Sequence, residues 1–238
     1  HALVLSLLLP EIDLPVELSK LREKGWIPSK RGGDTGIGKT IEEYLGITEN
    51  NLGETDCLYQ GTQVEIKGHR LGASSMITLF TLEPGDRKLK DVELMRRYGY
   101  IDSKGRRALK VTLTPNAFIP QGLKLETDMQ SISIVDSSGN RPWTWSVSDI
   151  RVKLHNLCIV NAYSENINGK EHFKVENAML ARDLDEKCFF ALVQKGIVKI
   201  DLRMHIKDSG SSRNHGTAFR ILDYESLLKC YRKNEKLL

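Results

Sequence analysis

The sequence predicts a mixed α+β (α/β) fold. Segments of helical period and segments of strictly alternating period both occur, they follow one another irregularly, and no internal repeat imposes the regular order of a doubly wound sheet. A chain of 238 residues, 40% of them hydrophobic, is long enough to bury one or two cores.

The elements follow in order. The opening run HALVLSLLLPEIDLP is apolar only as far as Pro10, too short to span a bilayer, and lacks the basic start and small-residue cleavage site of a signal peptide. It is expected to be a packed arm, and no other stretch is a membrane candidate. VELSKLREKGW places Val16, Leu18 and Leu21 at roughly helical spacing and stops at Gly25, a helix terminator. Ile37, Ile41, Tyr44 and Leu45 recur on one helical face, which Gly46 ends. The period then changes: TQVEIK alternates, so Val64 and Ile66 share one face of a strand and Gln63, Glu65 and Lys67 the other. MITLFTL reads as a central strand pairing beside it. LKDVELMRRYG is helical, and ALKVTLT, GLKLETD and SISIVD are strands divided by TPNAFIPQ and the SSGN turn. SVSDIRVKL and LDEKCFFALVQKG are expected as helices, LCIVNAYS, IVKIDLRMHI and GTAFRIL as strands, and YESLLKCYRKNEKLL as a closing helix.

Lys plus Arg total 35 against 31 for Asp plus Glu, a net charge of +4 that permits a polyanionic partner without demanding one. Cys57, Cys158, Cys188 and Cys230 are far apart, with no C-x-x-C pair. They read as buried reduced thiols, which favours the cytoplasm.

GDTGIGKT, Gly33 to Thr40, matches the phosphate-loop pattern G-x-x-x-x-G-K-[ST]. A working phosphate loop follows a buried strand and opens a long helix. Here the preceding WIPSKRG is polar and interrupted by Pro28, and the helix that follows is short and carries Glu42 and Glu43. No nucleotide cofactor is expected; the glycines make a turn and a close backbone approach.

TDCLYQGTQVEIKGHR carries more chemistry. Asp56 precedes Glu65 and Lys67, which project from one face of a strand, so two carboxylates and an amine converge. Phosphodiester hydrolysis needs such a set: hard oxygen ligands for Mg²⁺ and a cation to orient water and offset developing charge. Glu42, one position from the apolar stripe of its helix, is placed to lean over the same spot. The Asp-(x)₈-Glu-x-Lys spacing is loose, and an alternating strand ordinarily shows its charges to solvent.

The wider pattern is more specific. TGIGKTIEEYLGITENN, TD, VEIK and MITLFTLEP, with RRYGY, the Trp145 region, IDLRM and HGTAFRI, resemble in order and spacing the MvaI/BcnI family of type II restriction endonucleases, distantly related to the mismatch-repair nicking enzyme MutH. The likeness covers most of Gly33 to Leu222. It implies a PD-(D/E)xK-type core, a central mixed β-sheet flanked by helices, plus a DNA-recognition subdomain. Asp56 and Glu65 would bind Mg²⁺, Lys67 would complete the active site, and Glu42 occupies the family's helix-borne acid. Thr55 stands where the family motif has Pro, and the loop between Asp56 and Glu65 is longer than in MvaI-like members.

The resemblance further implies a monomer in a prokaryotic cytoplasm that cuts the two strands of double-stranded DNA in successive encounters. CC(W)GG is the preferred target, since HGTAFRI resembles the MvaI side and Thr81 replaces a histidine of BcnI-like enzymes. Asp201 and Arg203 share a strand face, an acceptor for cytosine amino groups beside a bidentate donor for guanine. Arg213, Asn214 and His215 fall in an expected mobile loop closed by Arg220, while His69, Arg70, Lys39 and Thr40 are candidate phosphate or base contacts. Residues 1–238 read as one restriction-endonuclease-like chain divisible into a catalytic lobe (16–100 plus 146–165) and a DNA-recognition lobe (101–145 plus 166–238). The alternatives are a MutH-like strand-specific nicking enzyme, a catalytically silent DNA-binding module and a nucleotide-driven switch on Gly33 to Thr40.

Overall fold

The computed structural model describes residues 9–48 and 55–238, so most of the expected N-terminal arm lies outside the described residues. In chain order the elements are α1 (Leu14–Glu23), β1 (Trp26–Pro28), α2 (Gly36–Tyr44), β2 (Cys57–Tyr59), β3 (Thr62–Arg70), β4 (Ile77–Thr81), β5 (Asp86–Arg87), α3 (Asp91–Tyr98), β6 (Tyr100–Ile101), β7 (Arg107–Leu113), β8 (Leu123–Thr127), β9 (Ser131–Asp136), β10 (Trp143–Ser146), α4 (Val147–Arg151), β11 (Asn156–Ile167), β12 (Lys170–Leu184), α5 (Glu186–Gln194), β13 (Val198–Ile206), β14 (Ser212–Asn214), β15 (Ala218–Ile221), α6 (Tyr224–Leu228) and β16 (Tyr231–Lys236). Two compact units result: His1–Ile77, His155–Asp185 and Leu228–Leu238 form the first, Thr78–Leu154 and Glu186–Leu227 the second. The sequence-based lobes divide the chain at other points, because period identifies an element without saying which sheet it joins.

The first unit is one sheet in the order β1-β12-β11-β3-β2, with β16 also paired to β12. Val64 and Ile66 of β3 pack with Cys158 and Val160 of β11, Phe173 and Val175 of β12, Leu14, Leu18 and Leu21 of α1, and Ile37 and Ile41 of α2. β3 runs parallel to β11, with Glu65 opposite Leu157 and Lys67 opposite Ile159. β11 and β12 form a long antiparallel hairpin. Its turn places Asn168 (φ 53°) and Gly169 (φ 80°) in the left-handed region, which Asn-Gly adopts at low cost.

The second unit holds two sheets, β4-β15-β13-β7-β6 with β14 on β13, and β5-β10-β9-β8. Trp143 and Trp145 alternate inward from β10 and are fully buried, and each indole N–H donates to a carbonyl at 2.8 Å, Leu89 and Leu82 respectively. Phe219 stacks on Phe80 at 4.5 Å and meets the edge of Trp145 at 5.9 Å. These rings supply large apolar area while the indoles keep their hydrogen bonds.

Several expectations are corrected. The MITLFTL strand lies beside β15 in the second unit; the neighbours of β3 are β11 and β2. The closing segment is helical only over Tyr224–Leu228 and then becomes β16, antiparallel to β12. YRKNEK has no apolar helical face, so ladder bonds to β12 decide its form. The expected helix SVSDIRVKL is helical only over Val147–Arg151. The expected loop around Arg213 contains β14, paired to β13. Cys57 and Cys158 are free and buried, but Cys188 and Cys230 are disulfide-bonded. No helix among the described residues is long and apolar enough to cross a membrane.

Candidate active site

Asp56 lies just ahead of β2, against the middle of β3. Its N–H donates to the Val64 carbonyl at 3.2 Å, and its Oδ2 accepts from the Ile66 N–H at 2.6 Å. Thr55 is fully buried and donates to Gln63 Oε1 at 3.1 Å, a side-chain tie across the hairpin that a proline could not make. Because β3 alternates, Glu65 and Lys67 project away from the core that holds Val64 and Ile66. Lys67 Nζ lies 3.0 Å from Glu65 Oε1, with the two side chains 17% and 21% exposed. Their neighbours on β11, Leu157 and Ile159, are buried. Such a pair is partly drained of water yet reachable, where charge interactions are stronger than in bulk solvent.

Glu42 completes the group from α2. Burial first, then the charge of Asp56 and a hydrogen bond to it, push its carboxyl up to about 7. Asp56 is raised as well, chiefly by burial, while the Ile66 N–H holds it down in part. Crowded, desolvated carboxylates favour a proton or a cation between them. Among the described residues, no three or more His, Cys, Asp or Glu side chains gather in a ready-made metal cage. Asp56 and Glu65 nevertheless offer hard oxygens beside one another. That suits Mg²⁺, which binds through one or two carboxylates and keeps water and phosphate oxygens as its other ligands.

The glycine-rich segment has a local explanation. A strand does precede it, contrary to expectation, but β1 is a three-residue piece antiparallel to β12. Thr40 is fully buried; its hydroxyl donates to the Gly36 carbonyl at 2.6 Å and accepts from the Lys30 N–H at 2.9 Å. The hydroxyl expected to touch phosphate is therefore held inside the fold. Gly33 takes φ +79°, and a Cβ on Gly36 would stand 2.3 Å from the Arg31 carbonyl oxygen. The turn needs glycine at both places.

Of the other first-unit candidates, Arg70 is only 14% exposed, ion-paired with Glu171. His69 Nδ1 lies 2.9 Å from Asn161 Oδ1, and Asn161 donates to Asn177 at 2.7 Å. Lys39 lies on α2 and is half-buried.

In the second unit, Asp201, Arg203 and His205 share the face of β13 opposite the core residues Ile200, Leu202 and Met204. Asp201 is buried: Thr112 donates to Oδ1 at 2.7 Å and Arg220 to Oδ2 at 3.0 Å. Arg203 donates to the Gly216 and His215 carbonyls at 3.0 and 2.9 Å. Asn214 Oδ1 accepts from the Gly216 N–H at 2.8 Å. Arg213 and His215 are exposed. Burial and neighbouring cations, led by Arg213, lower the pKa of His215; burial, then Arg106, does the same for His205.

The MvaI/BcnI restriction endonuclease family matches residues 16–229, most of the chain. The chain belongs to the MvaI/BcnI restriction endonuclease family. It is accordingly a type II site-specific deoxyribonuclease, a sequence-specific DNA endonuclease. Among solved structures it is similar to the complex of restriction endonuclease MvaI with its cognate DNA substrate. That likeness has TM-score 0.80 and 28% identity, and covers 94% of this chain and 97% of that one. It is also similar to MvaI in the absence of DNA, with TM-score 0.55 and 26% identity over 94% and 96% of the two chains. No curated protein matches.

In this MvaI/BcnI family member each unit also holds engaged residues the sequence did not single out. Glu171 anchors Arg70, and Glu83 accepts from the Thr217 N–H at 2.9 Å and its hydroxyl at 3.1 Å. Tyr231 is buried with its phenol raised by burial and then by Glu65. One local signal for the first was present: the Asn168-Gly169 pair marks a hairpin, and therefore the strand bearing Glu171.

Proposed function

We propose that the chain is a Mg²⁺-dependent endonuclease that cuts double-stranded DNA at a short G·C-flanked site of the CC(W)GG type, acting as a monomer that nicks the strands in turn. The observation that carries this reading is the gathering of Glu42, Asp56, Glu65 and Lys67 around β3. Asp56 and Glu65 would hold the ion. When bound, Mg²⁺ polarises the scissile phosphate and offsets the charge that develops on it. Lys67, kept close by Glu65, orients the attacking water and faces the developing negative charge. Glu42 shares a proton with Asp56 and so holds that carboxylate in place. Attack in line with the leaving oxygen gives 5′-phosphate and 3′-hydroxyl ends.

Arg203, Arg220, Arg213 and His215 read the DNA, with Asp201 aligning Arg220 and Asn214 shaping the turn at Gly216. Lys39 and His69 serve the backbone beside the active site. The reading places the enzyme in a prokaryotic cytoplasm and needs no nucleotide; the engaged hydroxyl of Thr40 supports that.

The test is a supercoiled plasmid rich in CC(N)GG sites, incubated with Mg²⁺ or EDTA, with the cut ends sequenced. Discrete Mg²⁺-dependent fragments ending at one motif, lost in Glu65→Ala, are expected. Absence of cleavage with any divalent metal would sink the proposal, and open circles that never become linear would replace it with a strand-specific nicking enzyme.

A further inference from the structure

We infer that Arg70 is a positioning residue of the active site: it latches the glycine-rich turn to β12 and thereby sets where α2 carries Glu42 beside Asp56. The inference rests on the nuclease reading above and replaces a direct DNA contact for this arginine.

The guanidinium is engaged on both sides. Its Nε and Nη2 donate to the two carboxylate oxygens of Glu171 at 3.0 and 2.9 Å, a bidentate pair, and Ser164 donates to the same carboxylate at 2.6 Å. Nη1 and Nη2 then reach the carbonyls of Asp34 and Gly33 at 3.0 and 2.9 Å. The Arg70 Cζ lies 5.2 Å from the ring centre of buried Phe173. Four bonds and a ring face leave this planar fork little to offer a phosphate, and an ammonium could not span the same set.

The held carbonyls lie immediately before α2. The Gly33 carbonyl accepts the Gly36 N–H at 3.1 Å, and the turn's other end is tied to the same strand by the Ser29 N–H on the Glu171 carbonyl at 2.9 Å. Downstream, α2 rests on β3 where a Cβ on Gly68 would stand 2.9 Å from Ile37 Cγ1 and 3.2 Å from the Gly38 nitrogen. Gly38 and Glu42 are four apart, on one face of the helix. One helical turn is about 5.4 Å, and two strand residues from Gly68 back to Ile66 span about 6.6 Å. The helix therefore delivers Glu42 near Asp56, whose Oδ2 is bonded to the Ile66 N–H. Fixing the turn at Gly33 and Asp34 fixes that delivery.

The experiment compares wild type, Arg70→Met, Arg70→Lys and Glu171→Gln. It measures the single-turnover cleavage rate in Mg²⁺ with enzyme in excess, DNA affinity against salt in Ca²⁺, and thermal melting. Arg70→Met and Glu171→Gln are expected to slow cleavage about 10- to 100-fold with Kd and its salt slope unchanged, and Arg70→Lys to restore little. An Arg70→Met protein that binds DNA more weakly, with a salt slope shallower by about 1, but cleaves at the normal rate would establish a phosphate contact instead. So would tighter binding by Glu171→Gln. Activity lost only in proportion to unfolded protein would reduce the latch to a stabilising contact, and if Arg70→Met does not fold, the isosteric Glu171→Gln decides. A wild-type protein that cleaves nothing would fail the nuclease reading, a result distinct from any of these.

Discussion

Asp201 carries a charge almost sealed from water, with Thr112 donating to one oxygen and Arg220 to the other. Replacing it by Ala takes this carboxylate away from Arg220, whose own side chain is only 17% exposed. Breaking one side of such a pair costs about 3 kcal/mol, whereas Thr112→Val removes one hydrogen bond to a charged group and costs about 1.5 kcal/mol. Urea titrations of the two variants should show that order. Equal losses would mean that Arg220 finds another acceptor. The same residue scale separates side chains held inside the fold from those open to a partner: Thr40 and Asn214 are held in local hydrogen bonds, while Arg213 and His215 face outward.

Contact between α2 and β3 depends on an absent side chain. Gly68→Ala would push a methyl against Ile37 and Gly38, an overpacking that costs about 1–3 kcal/mol. Because α2 carries Glu42, cleavage should slow further than the lost stability explains, with DNA affinity retained; unchanged single-turnover rates would sever Glu42 from the helix position. In the second unit, Asp136 closes the β9–β10 connection: the Asn140 side chain, then Tyr98, hold its carboxyl down at about 2. An unfolded aspartate titrates near 4, so this group favours the folded state above that pH. The contribution is lost as pH falls through about 2. Asp136→Asn should therefore melt at a lower temperature than wild type at neutral pH, with the two curves converging in acid. A gap that persists at pH 2 would assign the effect to the turn's shape.

At the scale of the whole molecule, the proposed active site uses one Glu42, Asp56, Glu65 and Lys67 from a single chain, so the proposed monomer would face one strand at a time. Sedimentation should give a single-chain mass with and without target DNA. On a one-site plasmid, open circles should accumulate and then decay to linear product. Linear product formed without an open-circle stage would require two chains at one site.

Neighbours in the chain determined much of this protein. The alternation of TQVEIK put Val64 and Ile66 in the core and Glu65 and Lys67 outside it, because successive strand side chains point to opposite faces whatever the strand pairs with. Gly25 and Gly46, both at positive φ, end their helices for an equally local reason. The ordered blocks from Gly33 to Leu222 were enough to indicate the family. Only the tertiary structure decided that β3 lies beside β11, that the last residues form β16, that the Thr40 hydroxyl turns inward and that Arg70 belongs to Glu171. Each depends on segments far apart in sequence competing for the same hydrogen bonds and buried area. Period and composition carry no record of which distant partner wins.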